Sequence, residues 1–319
     1  MKNVALVGVS GLVGERLFNL LKDNLADKIK LRLYGDKSVG KRLLFGDKWL
    51  TIQPTDSLDE KTDFALFATD NEISLRYVPA LSQKGVVCID NSSAFRMRKD
   101  VPLVVPSVNP RAAFGAKIIA NPNCVTIPIA MILHALRGLH PTSLTVATYQ
   151  STSGAGKEGL KDLTLCRKPP RTKCFVEGIV DNIIPQIGEI CPDGYTTEEH
   201  KLIDESRKIL DMPDLAVNCM CARVPLTVGH CCFVNVKFGK QCDASEITRL
   251  LRQAKDVLVF DNCLPMPKIV RNTKYVAVGR LTKDITCDNG LNMFVSSDNL
   301  LRGAAVNAFQ TLQLLLDKD

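Results

Sequence analysis

The chain is predicted to be an α/β protein, with a Rossmann-like dinucleotide-binding domain joined to an α+β domain. Three features carry this expectation. The first stretch of about 120 residues alternates short β-branched runs with amphipathic segments, the pattern of βαβ units around a parallel sheet. Gly8-Val9-Ser10-Gly11-Leu12-Val13-Gly14 follows the first apolar run and opens a helix, the context a phosphate-binding turn needs. Beyond Val125 the pattern changes to runs of longer strands mixed with helices, which suggests antiparallel pairing in an α+β domain. With 319 residues the chain has room for two domains of about 100–200 residues each.

In chain order, Val4 to Gly8 reads as a strand, Gly14 to about Leu25 as a helix and Ile29 to Tyr34 as a second strand. Phe64 to Thr69, Val86 to Asp90 and Ile118 to Ala120 are further buried runs, each closed by polar turn residues. The second half begins with a helix from Val125 to Leu139 and a strand from Leu144 to Gln150. After a polar middle section come strands at Ala216 to Arg223, Cys231 to Phe238, Val276 to Leu281 and Met293 to Ser296. The tail from Asp298 to Leu316 is a loop and a helix with apolar Leu301, Ala305, Phe309, Leu312 and Leu316 on one face. Its position predicts that the chain returns to the first domain, so that 1–124 with a C-terminal helix in 299–319 makes one domain and 125–298 the other. No internal repeat is visible.

Composition removes several function classes. The longest apolar stretch, after Cys124, is broken by His134, Arg137 and Gly138, so no membrane span is expected. The run after Met1-Lys2-Asn3 is too short for a signal segment, and a soluble, cytoplasmic protein is the expectation. Twelve cysteines in a chain of this length without an export signal read as reduced thiols. No CxxC pair occurs, and the cluster Cys219, Cys221, His230, Cys231 and Cys232 lies on two strands that would point its side chains to both faces. No metal is therefore expected there. The basic stretch Arg167 to Lys173 lacks interleaved aromatics and reads as a solvated loop, not a nucleic-acid surface. The net charge of +7 still supplies a mild field that draws in phosphorylated substrates.

The glycine turn is spaced GxxGxxG, a variant of the usual fingerprint, and would set helix N-terminal amides against a pyrophosphate. The second strand runs into Tyr34-Gly35-Asp36-Lys37-Ser38-Val39-Gly40-Lys41-Arg42. An acidic residue here suits the 2′-hydroxyl of NAD, whereas serine and cations suit the 2′-phosphate of NADP. Lys37, Ser38, Lys41 and Arg42 favour NADP, and Asp36 leaves NAD open.

Cys124, in Asn121-Pro122-Asn123-Cys124-Val125-Thr126, stands between a strand end and a helix, where the local positive field favours thiolate. Pro128 fits a first helical turn. Position alone does not separate Cys124 from a structural thiol. Among four histidines, His230 begins a strand just past a glycine, whereas His134 and His140 lie on or after a helix and His200 lies in a charged helical stretch. Arg96, Arg223 and Lys201 are candidate anion holders.

The segments GVSGLVG, NSSAFRM, VPLVVPSVN, NPNCVTI, TYQSTSGAGKEG, EEHKLIDESRKIL, ARVPLTVGH and DNLLRGAAVNAFQ occur in this order from Gly8 to Gln310. In this the chain resembles the aspartate-semialdehyde dehydrogenase family. The resemblance implies NADP-dependent reductive dephosphorylation of L-4-aspartyl phosphate, with Cys124 as nucleophile, His230 as acid/base and Gln150 orienting a thiohemiacetal. It implies that Arg223 and Glu198 hold the substrate's carboxylate and amino group, and that Arg96, Asn123 and Lys201 hold its phosphate. It also implies NADP contacts from Gly8, Ser10, Gly11, Leu12, Val13, Gly14, Lys37, Ser38, Ser153, Gly154, Asn299 and Gln310. A homodimer or homotetramer is implied, with the second domain as interface. The chain departs from the family at Val9-Ser10, at Pro106-Ser107-Val108-Asn109 where PEVN is usual, and at Gly229-His230-Cys231-Cys232 where GHSE is usual. Two rivals are an N-acetyl-gamma-glutamyl-phosphate reductase-like enzyme, whose usual Gly-Cys-Tyr-Pro-Thr element is absent, and a non-catalytic NADP-binding thiol sensor.

Overall fold

The strand β1 (Lys2–Val7) is buried along Val4, Ala5, Leu6 and Val7, a continuous apolar run of the kind that parallel sheets covered on both faces require. In the computed structural model, which describes residues 1–59 and 61–318, it is the centre of a seven-stranded sheet. Asp319, the last residue of the expected 299–319 segment, lies outside the described residues. The helix α1 (Leu12–Leu25) follows β1, and β2 (Ile29–Tyr34) pairs parallel to it. Next come the antiparallel hairpin β3 (Arg42–Phe45) and β4 (Lys48–Gln53), then β5 (Phe64–Phe67), α2 (Asn71–Gln83), β6 (Val87–Asp90) and β7 (Ile118–Ala120). The order β3-β4-β2-β1-β5-β6-β7 reverses at β1, so the turn after β1 opens at a topological switch point, where doubly wound sheets bind ligands.

The chain forms two units. Met1–Pro122 joins with the segment from Ala304 onward, and Asn123–Gly303 makes the second. The C-terminal helix Val306–Leu316 packs in the first unit against α1 and β6. Its Asn307 is fully buried and donates through Nδ2 to Val104 O and Asn121 Oδ1. The break before Asn123 lies two residues short of the boundary read from the sequence, and it places Asn123 and Cys124 in the second unit.

The second unit is built on a six-stranded sheet. In chain order it contains α3 (Thr126–Ala135), β8 (Pro141–Gln150), α4 (Gly156–Thr164), α5 (Thr197–Leu210), β9 (Ala216–Arg223), β10 (His230–Phe238), α6 (Ala244–Gln253), β11 (Val257–Phe260), α7 (Pro267–Val270), β12 (Val276–Lys283) and β13 (Gly290–Ser297). The sheet order is β11-β12-β13-β10-β8-β9, with β8 parallel to β9 and antiparallel to β10. Every residue of α3 from Thr126 to Leu133 is buried, as expected of a helix enclosed by its neighbours α5 and α6. The sheet strands alternate: on β8 Val146, Thr148 and Gln150 are buried while Ala147 and Tyr149 are not fully covered. Thus one face meets the helices. The other carries Met220, 64% exposed, and Phe233, 38% exposed, beside the stacked pair Tyr149 and Phe294.

Candidate active site

Cys124 precedes α3, whose first-turn amides have no side-chain cap, so the thiol sits where the helix field favours a negative charge. Its neighbour is tightly held. Asn123 N donates to Glu205 Oε2 at 2.6 Å, Asn123 Nδ2 donates to Glu198 Oε1 at 2.8 Å, and Asn123 Oδ1 accepts from Val125 N at 2.9 Å. On the opposite side a π-helical turn, Leu301–Ala305, brings Gly303 against the nucleophile. A Cβ on Gly303 would stand 2.8 Å from the Cys124 Cβ and carbonyl oxygen, closer than atoms tolerate, so glycine is what allows this turn to touch Cys124.

The helix α5 supplies both acidic and basic groups because its start is fixed. Thr196 and Glu199 form a capping box, and Glu199 Oε1 also accepts from Cys221 N on β9 at 2.8 Å. Glu198 and Glu205 are seven residues apart, two helical turns, so both face the Asn123 loop. Glu198 is 8% exposed. Burial pushes its carboxyl up, but Lys201, Asn123, Arg223 and Gln150 together hold it below the usual carboxylate range. The Lys201 ammonium lies 3.3 Å from Glu198 Oε2, and Gln150 Nε2 lies 3.3 Å from Oε1.

Gln150 and Arg223 end the paired strands β8 and β9 in register, which brings them side by side. The Arg223 guanidinium is buried and donates through Nη1 to Ser151 O at 2.7 Å, over the Phe175 ring at 5.8 Å. Burial pulls its pKa down, offset by the charges of Glu198 and Cys124. Arg223 Nε is buried without a partner among the described residues.

His230 begins β10 and is buried. Its Nδ1 accepts the Ser151 backbone N–H at 3.0 Å, and an amide can only donate, so the proton of the neutral ring sits on Nε2. Nε2 is itself buried without a partner among the described residues. Burial, then the Arg223 charge, pushes the His230 pKa down to about 3. The ring is thus a neutral donor at ordinary pH. A Cβ on Gly154 would meet Arg223 Nη1 at 2.7 Å and His230 Nε2 at 3.3 Å, so Gly154 keeps open the space that both donors face.

The other expected residues fall into two groups. In the second unit, Asn299 Oδ1 accepts from Gly229 N, Ser151 Oγ and Ser153 Oγ, and Asn299 Nδ2 donates to Ser153 Oγ. These side chains brace the His230 loop, so Ser153 and Asn299 offer a ligand little beyond backbone and the second amide proton. In the first unit, a Cβ on Gly14 would stand 2.1 Å from Gly8 O, so Gly14 packs on the turn with no room for a side chain. Gly11 N donates to Gly8 O at 3.0 Å, and α1 starts with no side-chain cap, leaving the Leu12 and Val13 amides for phosphate. Ser38 is buried with its Oγ unpartnered among the described residues, and it borders the space over Gly35 together with Ser10 Oγ. Asp36 Oδ1 instead accepts from Thr55 N at 2.8 Å. Lys37 is exposed, and Gln310 lies on the C-terminal helix. Arg96 donates to Asn121 O and Asn91 O, backbone contacts that hold its guanidinium in place.

Three positions carry local structure that the sequence did not single out: Glu205, Ser151 and Gly303. All three lie inside the quoted motifs, yet a helical Glu, a strand-end Ser and a Gly have no distinctive spacing of their own. Of the neighbouring thiols, Cys231 is pushed up to about 11 by burial, and Cys232 is raised well above its ordinary value by burial and by Cys231 and Cys124. Neither is a thiolate competitor to Cys124 near neutrality.

Residues 3–116 match the model of the semialdehyde dehydrogenase NAD binding domain, and residues 133–302 that of the semialdehyde dehydrogenase dimerisation domain. The chain is 38% identical to aspartate-semialdehyde dehydrogenase 2 of Vibrio cholerae over 98% of this chain and 97% of that protein. It is 36% identical to aspartate-semialdehyde dehydrogenase of Aquifex aeolicus, again over 98% and 97%. A crystal structure of aspartate semialdehyde dehydrogenase II from Vibrio cholerae complexed with ASA superposes with a TM-score of 0.96 at 36% identity, covering 99% of this chain and 98% of that one. With the nucleophile loop, the α5 charges and the His230 loop on one unit and the glycine turn on the other, the chain belongs to the aspartate-semialdehyde dehydrogenase family.

Proposed function

We propose that the chain is an NADP-dependent aspartate-semialdehyde dehydrogenase that converts L-4-aspartyl phosphate into L-aspartate 4-semialdehyde through a thioester on Cys124. It would act in the cytoplasm, in the branch of amino-acid biosynthesis leading to lysine or diaminopimelate, threonine and methionine. The observation that carries this reading is the pair of buried, opposite charges beside the nucleophile, Glu198 and Arg223. A substrate with both an α-ammonium and an α-carboxylate meets both, whereas an N-acetylated one brings no positive charge to Glu198 and forgoes one charged hydrogen bond, about 1.5–3 kcal/mol.

The Cys124 thiolate attacks the acyl carbon and phosphate departs, leaving the thioester. Asn123, Lys201 and Arg96 are assigned to the departing phosphate, and Arg223 to the carboxylate through its unpartnered Nε. Bound NADPH supplies the hydride. Hydride addition leaves a thiohemiacetal oxyanion, which Gln150 orients and His230 Nε2–H holds as hydrogen-bond donor, and collapse of that oxyanion to the aldehyde breaks the C–S bond and frees the Cys124 thiolate. The cofactor is assigned to Gly8, Ser10, Gly11, Leu12, Val13 and Gly14, with Lys37 and Ser38 reading the 2′-phosphate. Ser153, Gly154, Asn299 and Gln310 complete the set. The engagement of Asp36 with Thr55 supports NADP over NAD, because that carboxylate oxygen is already an acceptor. No described helix is long and apolar enough to cross a membrane. The half-exposed sheet face of the second unit supports self-association as a homodimer, or a tetramer of two such pairs.

A spectrophotometric assay tests the reading: NADP reduction by aspartate semialdehyde with phosphate, beside the same assay with N-acetylglutamate semialdehyde. Turnover of the first alone is expected. Preferential turnover of the second would replace this function with the acetylated-substrate one, and no reduction with either would favour a sensor.

A further inference from the structure

We propose that Cys191, Asp193 and His200 form a binding site for a divalent transition metal of the zinc class, at a place the dehydrogenase chemistry does not use. The three side chains each offer one donor atom, and all three atoms lie within 4.8 Å of one another. Ligands around tetrahedral zinc, at about 2.0–2.3 Å from the metal, stand roughly 3.3–3.8 Å apart, so closure needs a movement of up to about 1.5 Å.

The chain builds this arrangement with backbone structure. Ile190 and Thr196 bridge, Cys191 N donates to Tyr195 O, and Gly194 N donates to Cys191 O. This tight turn sets Cys191 and Asp193 beside the first turn of α5, where His200 lies. Asp193 Oδ1 accepts from Tyr195 N at 3.1 Å, which leaves Oδ2 aimed at His200 Nε2, 3.0 Å away. The Tyr195 ring packs at 5.9 Å from the imidazole, and its hydroxyl donates to Asn218 Oδ1. Outer hydrogen bonds that orient a ligating carboxylate are characteristic of metal sites. His200 is two residues from Glu198, about 200° around the helix, so the site lies on the other side of α5 from the substrate charges.

One thiolate, one imidazole and one carboxylate form a soft-to-borderline donor set, suited to zinc and its congeners and poorly suited to calcium or magnesium. Three protein ligands leave a fourth position for water. Binding releases the Cys191 thiol proton and replaces the His200–Asp193 hydrogen bond with two bonds to the metal, so affinity rises with pH. The metal would then tie the 190–196 turn to the turn of α5 that carries Glu198 and Lys201.

Cobalt(II) titration of the full chain tests this. The wild type is expected to develop the visible bands of tetrahedral cobalt together with a thiolate-to-cobalt charge-transfer band in the near ultraviolet. Cys191→Ser should lose the charge-transfer band, and His200→Ala and Asp193→Asn should weaken zinc binding, measured by competition with a chromogenic chelator. The expected loss for His200→Ala is about 100-fold or more, the upper end of what losing even an outer-sphere partner costs. Far-ultraviolet circular dichroism establishes that each variant is folded. A wild type without these bands would overturn the proposal and leave His200–Asp193 as a hydrogen-bonded pair alone. Bands that persist in Cys191→Ser and His200→Ala would also overturn it, by placing the metal on other thiols. Neither outcome depends on the dehydrogenase assay.

Discussion

At the scale of single residues, His230 shows how surroundings choose chemistry. The Ser151 amide determines its tautomer, and burial with the Arg223 charge keeps it neutral. Its folded pKa of about 3 lies below the ordinary 6.5, so between these values the unfolded chain binds more protons than the folded one. Stability from this residue is complete above pH 6.5 and is lost as pH falls toward 3. His230→Gln should therefore flatten the fall in Tm between pH 6.5 and 4; a Tm profile parallel to that of wild type would show that His230 is not held neutral. Arg223 permits a second prediction. Lysine keeps the charge but cannot donate to Ser151 O and a substrate carboxylate with one planar group. Losing one charged hydrogen bond costs about 1.5–3 kcal/mol, so Arg223→Lys should lower kcat/KM roughly 10- to 150-fold with NADP affinity unchanged. Unchanged kcat/KM would take Arg223 out of the substrate site.

At the scale of elements, α5 is the organising piece of the second unit. One face carries Glu198, Leu202, Glu205 and Ile209, all buried, and the two carboxylates on that face hold the Asn123 backbone amide and side chain. Glu205→Ala would remove the acceptor for Asn123 N and let the residue before the nucleophile move. A fall in kcat of about tenfold or more is expected, largely restored by Glu205→Gln, which keeps an acceptor oxygen; a lower Tm with kcat intact would make Glu205 structural only. Elements with strong periodicity were legible: Ile29–Tyr34, Ile118–Ala120 and Ala216–Arg223 coincide with the sequence reading. The β3–β4 hairpin was missed because its strands are short and mostly exposed, so only Gly46-Asp47 marks the turn. The C-terminal helix was expected as a loop followed by a helix, but its entry is a π-helical turn. Nothing in apolar spacing distinguishes that from an α-helical start, and its purpose appears only in the contact between Gly303 and Cys124.

At the scale of the whole molecule, two units and their strand-rich or strand-alternating character could be read from apolar patterning, whereas which residues meet could not. Cys124, Gln150, Glu198, Arg223 and His230 are separated by up to about a hundred residues of sequence and come together because β8, β9 and β10 are neighbours in one sheet over α3 and α5. Family motifs supplied the names of these residues, and the sheet register supplies the reason they are adjacent. The same sheet leaves Met220 and Phe233 exposed on its outer face, an arrangement that a partner would cover. Met220→Lys with Phe233→Lys should shift the protein toward monomer in light scattering coupled to size exclusion, and an unchanged mass would put the interface elsewhere.

In the proposed reaction the acyl group passes through Cys124. Mixing the enzyme with L-4-aspartyl phosphate in the absence of NADPH, quenching in acid and mapping the peptides by mass spectrometry tests it most directly. One aspartyl adduct per chain is expected, on the peptide containing Cys124, absent from Cys124→Ser and discharged when NADPH is added before the quench. An adduct on a different cysteine, or full turnover by Cys124→Ser, would contradict it.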